Sequence, residues 1–187
     1  MKRTPLSLGR VAGTALLWVT CALAAQAATA RDARSATWTT TVTFVVDGDT
    51  LRVRPPGGGK PVSLRIEGID APEICQAGGA ASREALVRLV NGRQLVVQGQ
   101  RIDNYGRLLT TMEVDGVDVG RSMVRSGWAW SYRFRRDTGP YLRQEHQARA
   151  AGLGIFAAGR DVALIEPRQF RKEHGSCYPS HRPTVRP

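Results

Sequence analysis

Two short alternating segments on either side of a Gly/Pro run constrain this chain more than any other feature. From Thr50 to Arg54, Leu51 and Val53 alternate with Thr50, Arg52 and Arg54. After Pro55-Pro56-Gly57-Gly58-Gly59-Lys60-Pro61, Leu64 and Ile66 alternate with Arg65 and Glu67. A period of two marks half-buried strands, and the run between them marks a turn, so the pair forms an antiparallel hairpin with one apolar face. In such a hairpin the start of the first strand lies opposite the end of the second. Asp49 stands just before the first strand, Asp70 just after the second, and Glu73 follows in the same loop. The three carboxylates therefore converge at the open end of the hairpin. Hard oxygen donors of this kind suit Ca²⁺ or Mg²⁺. The same residue types are also common turn formers, and geometry alone leaves both readings open.

This acidic cluster sits in a strongly basic chain. Of 187 residues, 27 are Lys or Arg and 16 are Asp or Glu, a net charge of +11. A polyanion is the natural partner for such a surface. The first residues read as a secretory signal: Lys2, Arg3 and Arg10 precede an uncharged apolar run, and Ala25-Gln26-Ala27 offers a cleavage site. Removing residues 1–27 takes away those three cations and leaves +8. The expected product is exported to the periplasm or the medium and monomeric, with no membrane association after cleavage.

The remaining segments sketch a small α+β domain. Residues 38–46, rich in Thr, Val and Phe, read as a strand, as do residues 94–100 and 108–114. Residues 80–90, 119–126 and 141–151 read as helices, each stopped by Gly or Asn-Gly. Five strands with three interspersed helices suit a five-stranded oligonucleotide-binding β-barrel. Residues 28–40 read as a leader, 41–160 as the domain, and 161–187 as a basic C-terminal tail. Gly57-Gly58-Gly59-Lys60 lacks the spacing of a phosphate-binding loop, since Arg54 stands where its first glycine belongs and Pro61 follows the lysine. Arg168, Arg171 and Lys172 in the tail read as solvated surface or a weak nucleic-acid contact.

Three blocks carry a resemblance. Val46-Asp47-Gly48-Asp49-Thr50, Leu64-Arg65-Ile66-Glu67-Gly68-Ile69-Asp70-Ala71-Pro72-Glu73 and Asp103-Asn104-Tyr105-Gly106-Arg107-Leu108, in this order and spacing, resemble the thermonuclease family of staphylococcal-nuclease-like domains. The similarity runs from about residue 41 to about residue 158. It implies the oligonucleotide-binding barrel, a calcium cofactor, and cleavage of both DNA and RNA at the bond to the 5′ oxygen. It further implies that Asp49, Asp70 and the main-chain carbonyl of Ala71 hold calcium. Glu73 would activate or position the attacking water, Arg65 and Arg107 would bind the scissile phosphate, and Tyr105 and Tyr132 would line the nucleotide pocket. At Ala71 the chain departs from the family's threonine, which leaves a carbonyl ligand intact but removes any hydroxyl role.

A catalytically silent nucleic-acid-binding module of the same fold is the alternative, and the retained Asp49, Asp70, Glu73, Arg65 and Arg107 speak against it. An exported adhesion protein would not need this constellation. Once the signal and Cys21 are removed, Cys75 and Cys177 are the only thiols. In an oxidising compartment they can form a disulfide tying the tail to the Glu73 loop, or else stay free or pair between chains.

Overall fold

A computed structural model describes residues 37–133, 137–157 and 165–177. The signal segment and residues 28–36 of the leader lie outside these residues. The hairpin anticipated from the alternation is present: β2 (Thr50–Val53) pairs antiparallel with β3 (Val62–Ile66), with Thr50 opposite Arg65 and Leu51 opposite Leu64. Gly57, Gly58 and Gly59 all take positive φ in the connecting turn, a conformation glycine adopts without steric cost. Strand β1 (Thr37–Val45) lies within one residue of the strand read over residues 38–46, and its β-branched residues pair with a later strand.

Between β3 and that partner come β4 (Ile69–Asp70) and helix α1 (Gly79–Val90). The next strands are β5 (Gln94–Ile102), β6 (Leu108–Val114) and β7 (Val117–Asp118). The sheet order is β3-β2-β1-β5-β6-β7, and β3 also pairs parallel with β6. That last pairing closes β1, β2, β3, β5 and β6 into a five-stranded mixed barrel, the oligonucleotide-binding architecture. Helix α2 (Val119–Arg125) follows, and the Asp118 carboxylate caps it by accepting from the Arg121 N–H at 3.0 Å. Then come β8 (Trp130–Ser131), α3 (Leu142–Ala150) and a 3₁₀ turn at Gly154–Phe156.

The inward residues of the barrel include Leu51, Val53, Leu64, Ile66, Leu95, Val97, Met112 and Val114, and Leu86 and Val90 of α1 and Met123 and Val124 of α2 pack onto them. Each such fully buried side chain contributes about 1.5–3 kcal/mol relative to exposure. A smaller cluster of Trp130, Ala148, Ile155 and Phe156 holds β8 against α3, with the Trp130 and Phe156 rings edge to face at 5.8 Å. Glu145 of α3, fully buried, accepts from the Ser131 N–H at 2.9 Å and pairs with Arg133 and Arg149 at 2.8 and 2.9 Å. This network fixes β8, which in turn pairs with β4.

The tail corrects the sequence reading. Residues Pro167–His174 form a fourth helix, α4, so the described residues hold four α-helices and not three. Proline at its first turn suits a helix start, and Arg171, Lys172 and His174 in its last turn complement the helix dipole. Eight residues with few apolar positions gave no helical stripe to read. The helix owes its place to tertiary anchors: Cys177 is disulfide-bonded to Cys75 with Cα atoms 5.7 Å apart, and Gln76 Nε2 donates to the Ile165 carbonyl at 2.6 Å.

Candidate active site

The Asp47-Gly48-Asp49 turn begins the site. The Asp49 N–H donates to Asp47 Oδ1 at 3.0 Å, and the Val46 N–H donates to the Thr50 carbonyl at 2.9 Å, which folds the acids inward. Gly48 is required here because a Cβ would collide with Ser82 of α1 and the Ala71 methyl. Asp49 is buried, and its Oδ2 accepts from the Ala71 N–H at 2.9 Å. The hairpin register then brings Arg65 alongside: its guanidinium pairs with Asp49 Oδ1 and, at 3.0 Å, with Asp70 Oδ1. Asp70 reaches this position because β3 turns at Gly68, where φ is +81°, and runs back as β4.

Arg107 arrives through the parallel β3–β6 pairing, one residue before Leu108, which lies opposite Leu64. Its loop is built by Asp103, whose carboxylate accepts from the Tyr105 and Arg107 N–H groups, each at 2.9 Å, and from Arg107 Nε at 2.8 Å. Arg107 Nη1 donates to Thr50 Oγ1 at 3.3 Å, and that hydroxyl donates to Asp49 Oδ1 at 2.8 Å. Thr50 thus links the second arginine to the acidic cluster, a role its sequence position beside Asp49 did not disclose. Tyr105, 82% exposed, lies with the Arg107 guanidinium 5.2 Å from its ring centroid. Tyr132, half-exposed, donates its N–H to the Gly68 carbonyl at 2.9 Å and borders a cleft that Asp70 and Trp130 also line.

Glu73 lies in the loop before α1, and the structure supplies it a partner that the sequence reading left on the surface. Arg171 of α4 pairs with Glu73 Oε1 at 2.7 Å and with Asp70 Oδ2 at 3.1 Å. Arg65 lies among the aspartates with its side chain 12% exposed, and Glu67 pairs with Arg101 at 2.8 Å on the exposed barrel surface.

The electrostatics follow from this crowding. Burial works to raise the Asp49 pKa, but Arg65 outweighs it and holds the carboxyl below its ordinary value. Burial and the neighbouring Asp49 charge push Asp70 up. For the same two reasons Asp47 is pushed up to about 7. Burial opposes the Arg65 and Arg171 charges, and the facing carboxylates, Asp49 first for Arg65 and Asp70 first for Arg171, more than offset it and raise both.

Asp47, Asp49 and Asp70 lie around the Arg65 guanidinium, and Asp70 and Glu73 pair with Arg171, so four carboxyl groups share two guanidiniums. An excess of buried carboxylate oxygen is the donor chemistry a hard divalent cation takes. Among the described residues, however, no three or more His, Cys, Asp or Glu side chains converge as a metal-holding group. Asp49 and Asp70 satisfy their oxygens on Arg65, and Asp70 and Glu73 on Arg171.

Comparison with known proteins agrees with this architecture. The family model described as Staphylococcal nuclease homologue matches residues 63–158. That range holds Arg65, Asp70, Glu73 and Arg107 and begins after Asp49. Protein ParB of Escherichia coli is 36% identical over 143 residues, covering 71% of this chain and 78% of that protein. A Haemophilus influenzae protein described as an uncharacterized endonuclease is 33% identical over 132 residues, covering 71% and 72% respectively. In Oryza sativa subsp. japonica, the probable staphylococcal-like nuclease CAN1 is 33% identical over 114 residues, covering 61% of this chain and 34% of that protein.

Proposed function

The chain belongs to the staphylococcal nuclease homologue family, and from that premise we propose that it is an exported, calcium-dependent endonuclease acting on DNA and RNA with little sequence specificity. It is a nuclease, a phosphodiester hydrolase whose substrates are nucleic acids. The observation that carries the finer reading is the meeting of Asp49, Asp70 and Arg65 at one end of the barrel, with Glu73 joined through Arg171 and Arg107 joined through Thr50.

Asp49, Asp70 and the Ala71 carbonyl would hold calcium. When bound, the ion supplies positive charge against the phosphoryl oxygens and favours ionisation of a neighbouring water. The rest is the work of side chains. Arg65 and Arg107 offer planar guanidiniums that match phosphate oxygens and offset the charge growing on them during attack. The Glu73 carboxylate orients or deprotonates the water for in-line displacement. Tyr105, exposed beside Arg107, offers a face for the nucleotide base, and Tyr132 lies on the Asp70 side of the same end. The surplus of Lys and Arg supports sequence-independent attraction to the phosphate backbone, which weakens as salt rises. The apolar N-terminal segment and the Cys75–Cys177 bridge support export to an oxidising compartment, periplasm or medium.

A plasmid-nicking assay, repeated with an RNA substrate, tests this directly. Cleavage of both with calcium, abolished by excess chelator, is the expected result. Full activity in chelator would exclude the metal requirement, and binding without cleavage would leave the silent binding module.

A further inference from the structure

Arg171 stands out because the barrel alone does not supply it. It lies about a hundred residues beyond Glu73 in the sequence, yet its Nη1 donates to Glu73 Oε1 at 2.7 Å and its Nη2 to Asp70 Oδ2 at 3.1 Å. The segment that carries it is fastened at both ends. Before α4, the Ile165 carbonyl accepts from Gln76, Glu166 pairs with Arg133 at 2.9 Å, and Pro167 is buried. After α4, Cys177 is bonded to Cys75. Two of these anchors, Cys75 and Gln76, belong to the Glu73 loop itself, and Gln76 Oε1 also accepts from the Glu73 N–H at 3.2 Å. Helix α4 is therefore tied to the element it acts on. A displaceable plug would need freedom from that loop, and this segment has a covalent bond to it.

We propose that Arg171 is a positioning residue of the nuclease site, holding the Glu73 carboxylate in place from a C-terminal helix that the Cys75–Cys177 disulfide fastens to the Glu73 loop. The inference rests on the nuclease reading above. A carboxylate that must direct a water needs a fixed orientation, and a loop acid gains that orientation from a partner one layer out. The planar fork of arginine suits the task because it spans two carboxylates at once.

The test uses the full mature chain with calcium and a nucleic-acid substrate. Arg171→Gln should lower kcat about 10- to 100-fold, the loss usual for a partner that orients a site residue, with KM little changed. Arg171→Lys, which keeps the charge but not the fork, should recover part of the rate. In a Glu73→Gln background, Arg171→Gln should cost little more, because the two act through one group. Calcium affinity measured by calorimetry should not tighten in Arg171→Gln. The exposed Gln169→Ala on the same helix should behave as wild type. If Arg171→Gln does not fold, Arg171→Lys carries the same comparison. A wild-type rate in Arg171→Gln, or a full additional loss on top of Glu73→Gln, would overturn the proposal. So would a higher rate with tighter calcium binding, which would make Arg171 an inhibitory cation. If the wild type itself cuts nothing, the nuclease reading falls and this inference with it. An active wild type with an equally active Arg171→Gln removes this inference alone.

Discussion

Arg65 forms an ion pair with the buried Asp49, their side chains 12% and 5% exposed, at the point where strands β2 and β3 open. Asp49 can be ionised inside the barrel end because Arg65 is there, and Arg65 is held in line by Asp49. The same guanidinium is the one proposed to meet phosphate. One residue would then serve both folding and chemistry, whereas Arg107 pairs with Asp103 in a part-exposed loop.

Substitution by lysine should separate these two roles. Arg65→Lys and Arg107→Lys should each lower the cleavage rate about 100- to 1,000-fold, since lysine cannot reproduce a planar two-point contact. Only Arg65→Lys should also destabilise the fold, by about 1–3 kcal/mol, because it leaves buried carboxylate oxygens poorly satisfied. Initial rates and thermal melts of both variants check this. Equal melting temperatures would show that the Arg65–Asp49 pair matters little to stability.

The two nearby glutamates should behave oppositely. Glu73→Gln is expected to lose about 100- to 10,000-fold in rate, the range for a residue that moves or directs a proton. Glu67→Gln should change the rate little, because Glu67 faces solvent and pairs with Arg101 away from the acidic cluster. A larger defect in Glu67→Gln would mean the acids have been assigned the wrong roles.

Glu145 should set part of the acid limit of stability. Burial works against its charge, but hydrogen bonds from Arg133, the Ser131 N–H and Arg149 prevail and hold its pKa below the ordinary 4.5. The unfolded chain therefore takes up a proton at higher pH than the folded one. The stabilisation is complete above about 4.5 and fades as pH falls through the lower folded value. Glu145→Gln should cost about 1.5–3 kcal/mol at neutral pH and flatten the stability profile on the acid side. Denaturant melts across pH 3–7 would expose a contrary result as an unchanged slope.

Processing and the disulfide can be read from one intact mass. Protein recovered without reductant should start at Ala28 and hold no alkylatable thiol at Cys75 or Cys177. The bridge closes a loop of sequence separation 102, for which chain entropy gives about 4–5 kcal/mol at most. Cys177→Ser should melt earlier than wild type and by less than that bound. Two free thiols in the folded monomer would reject the bridge.

How far the sequence spoke can be traced residue by residue. Leu51 and Val53 against Leu64 and Ile66 announced the hairpin, because a period of two has only one buried face to offer. The placement of Asp49 and Asp70 at its open end followed from antiparallel geometry. The family blocks named Arg65, Glu73 and Arg107 together, and the structure brings Arg65 to the aspartates directly and Arg107 through Thr50. Strands β4 and β8, each two residues long, were too short to carry any pattern.

What the sequence determined by itself was local and periodic: the strands with alternating faces, the helices with stops, the hairpin that gathers acids, and a basic surface suited to a polyanion. What only the tertiary structure decided was which distant groups meet. The parallel closure of β3 on β6 sets Arg107 beside Thr50, and no local preference encodes a parallel pairing between strands that are not neighbours in sequence. Helix α4 is short and polar, so its own propensity would not hold it, and it forms where a disulfide, a buried proline and two carboxylates wait for it. Arg171 reads as one more surface arginine until those anchors bring it into ion pairs with Glu73 and Asp70.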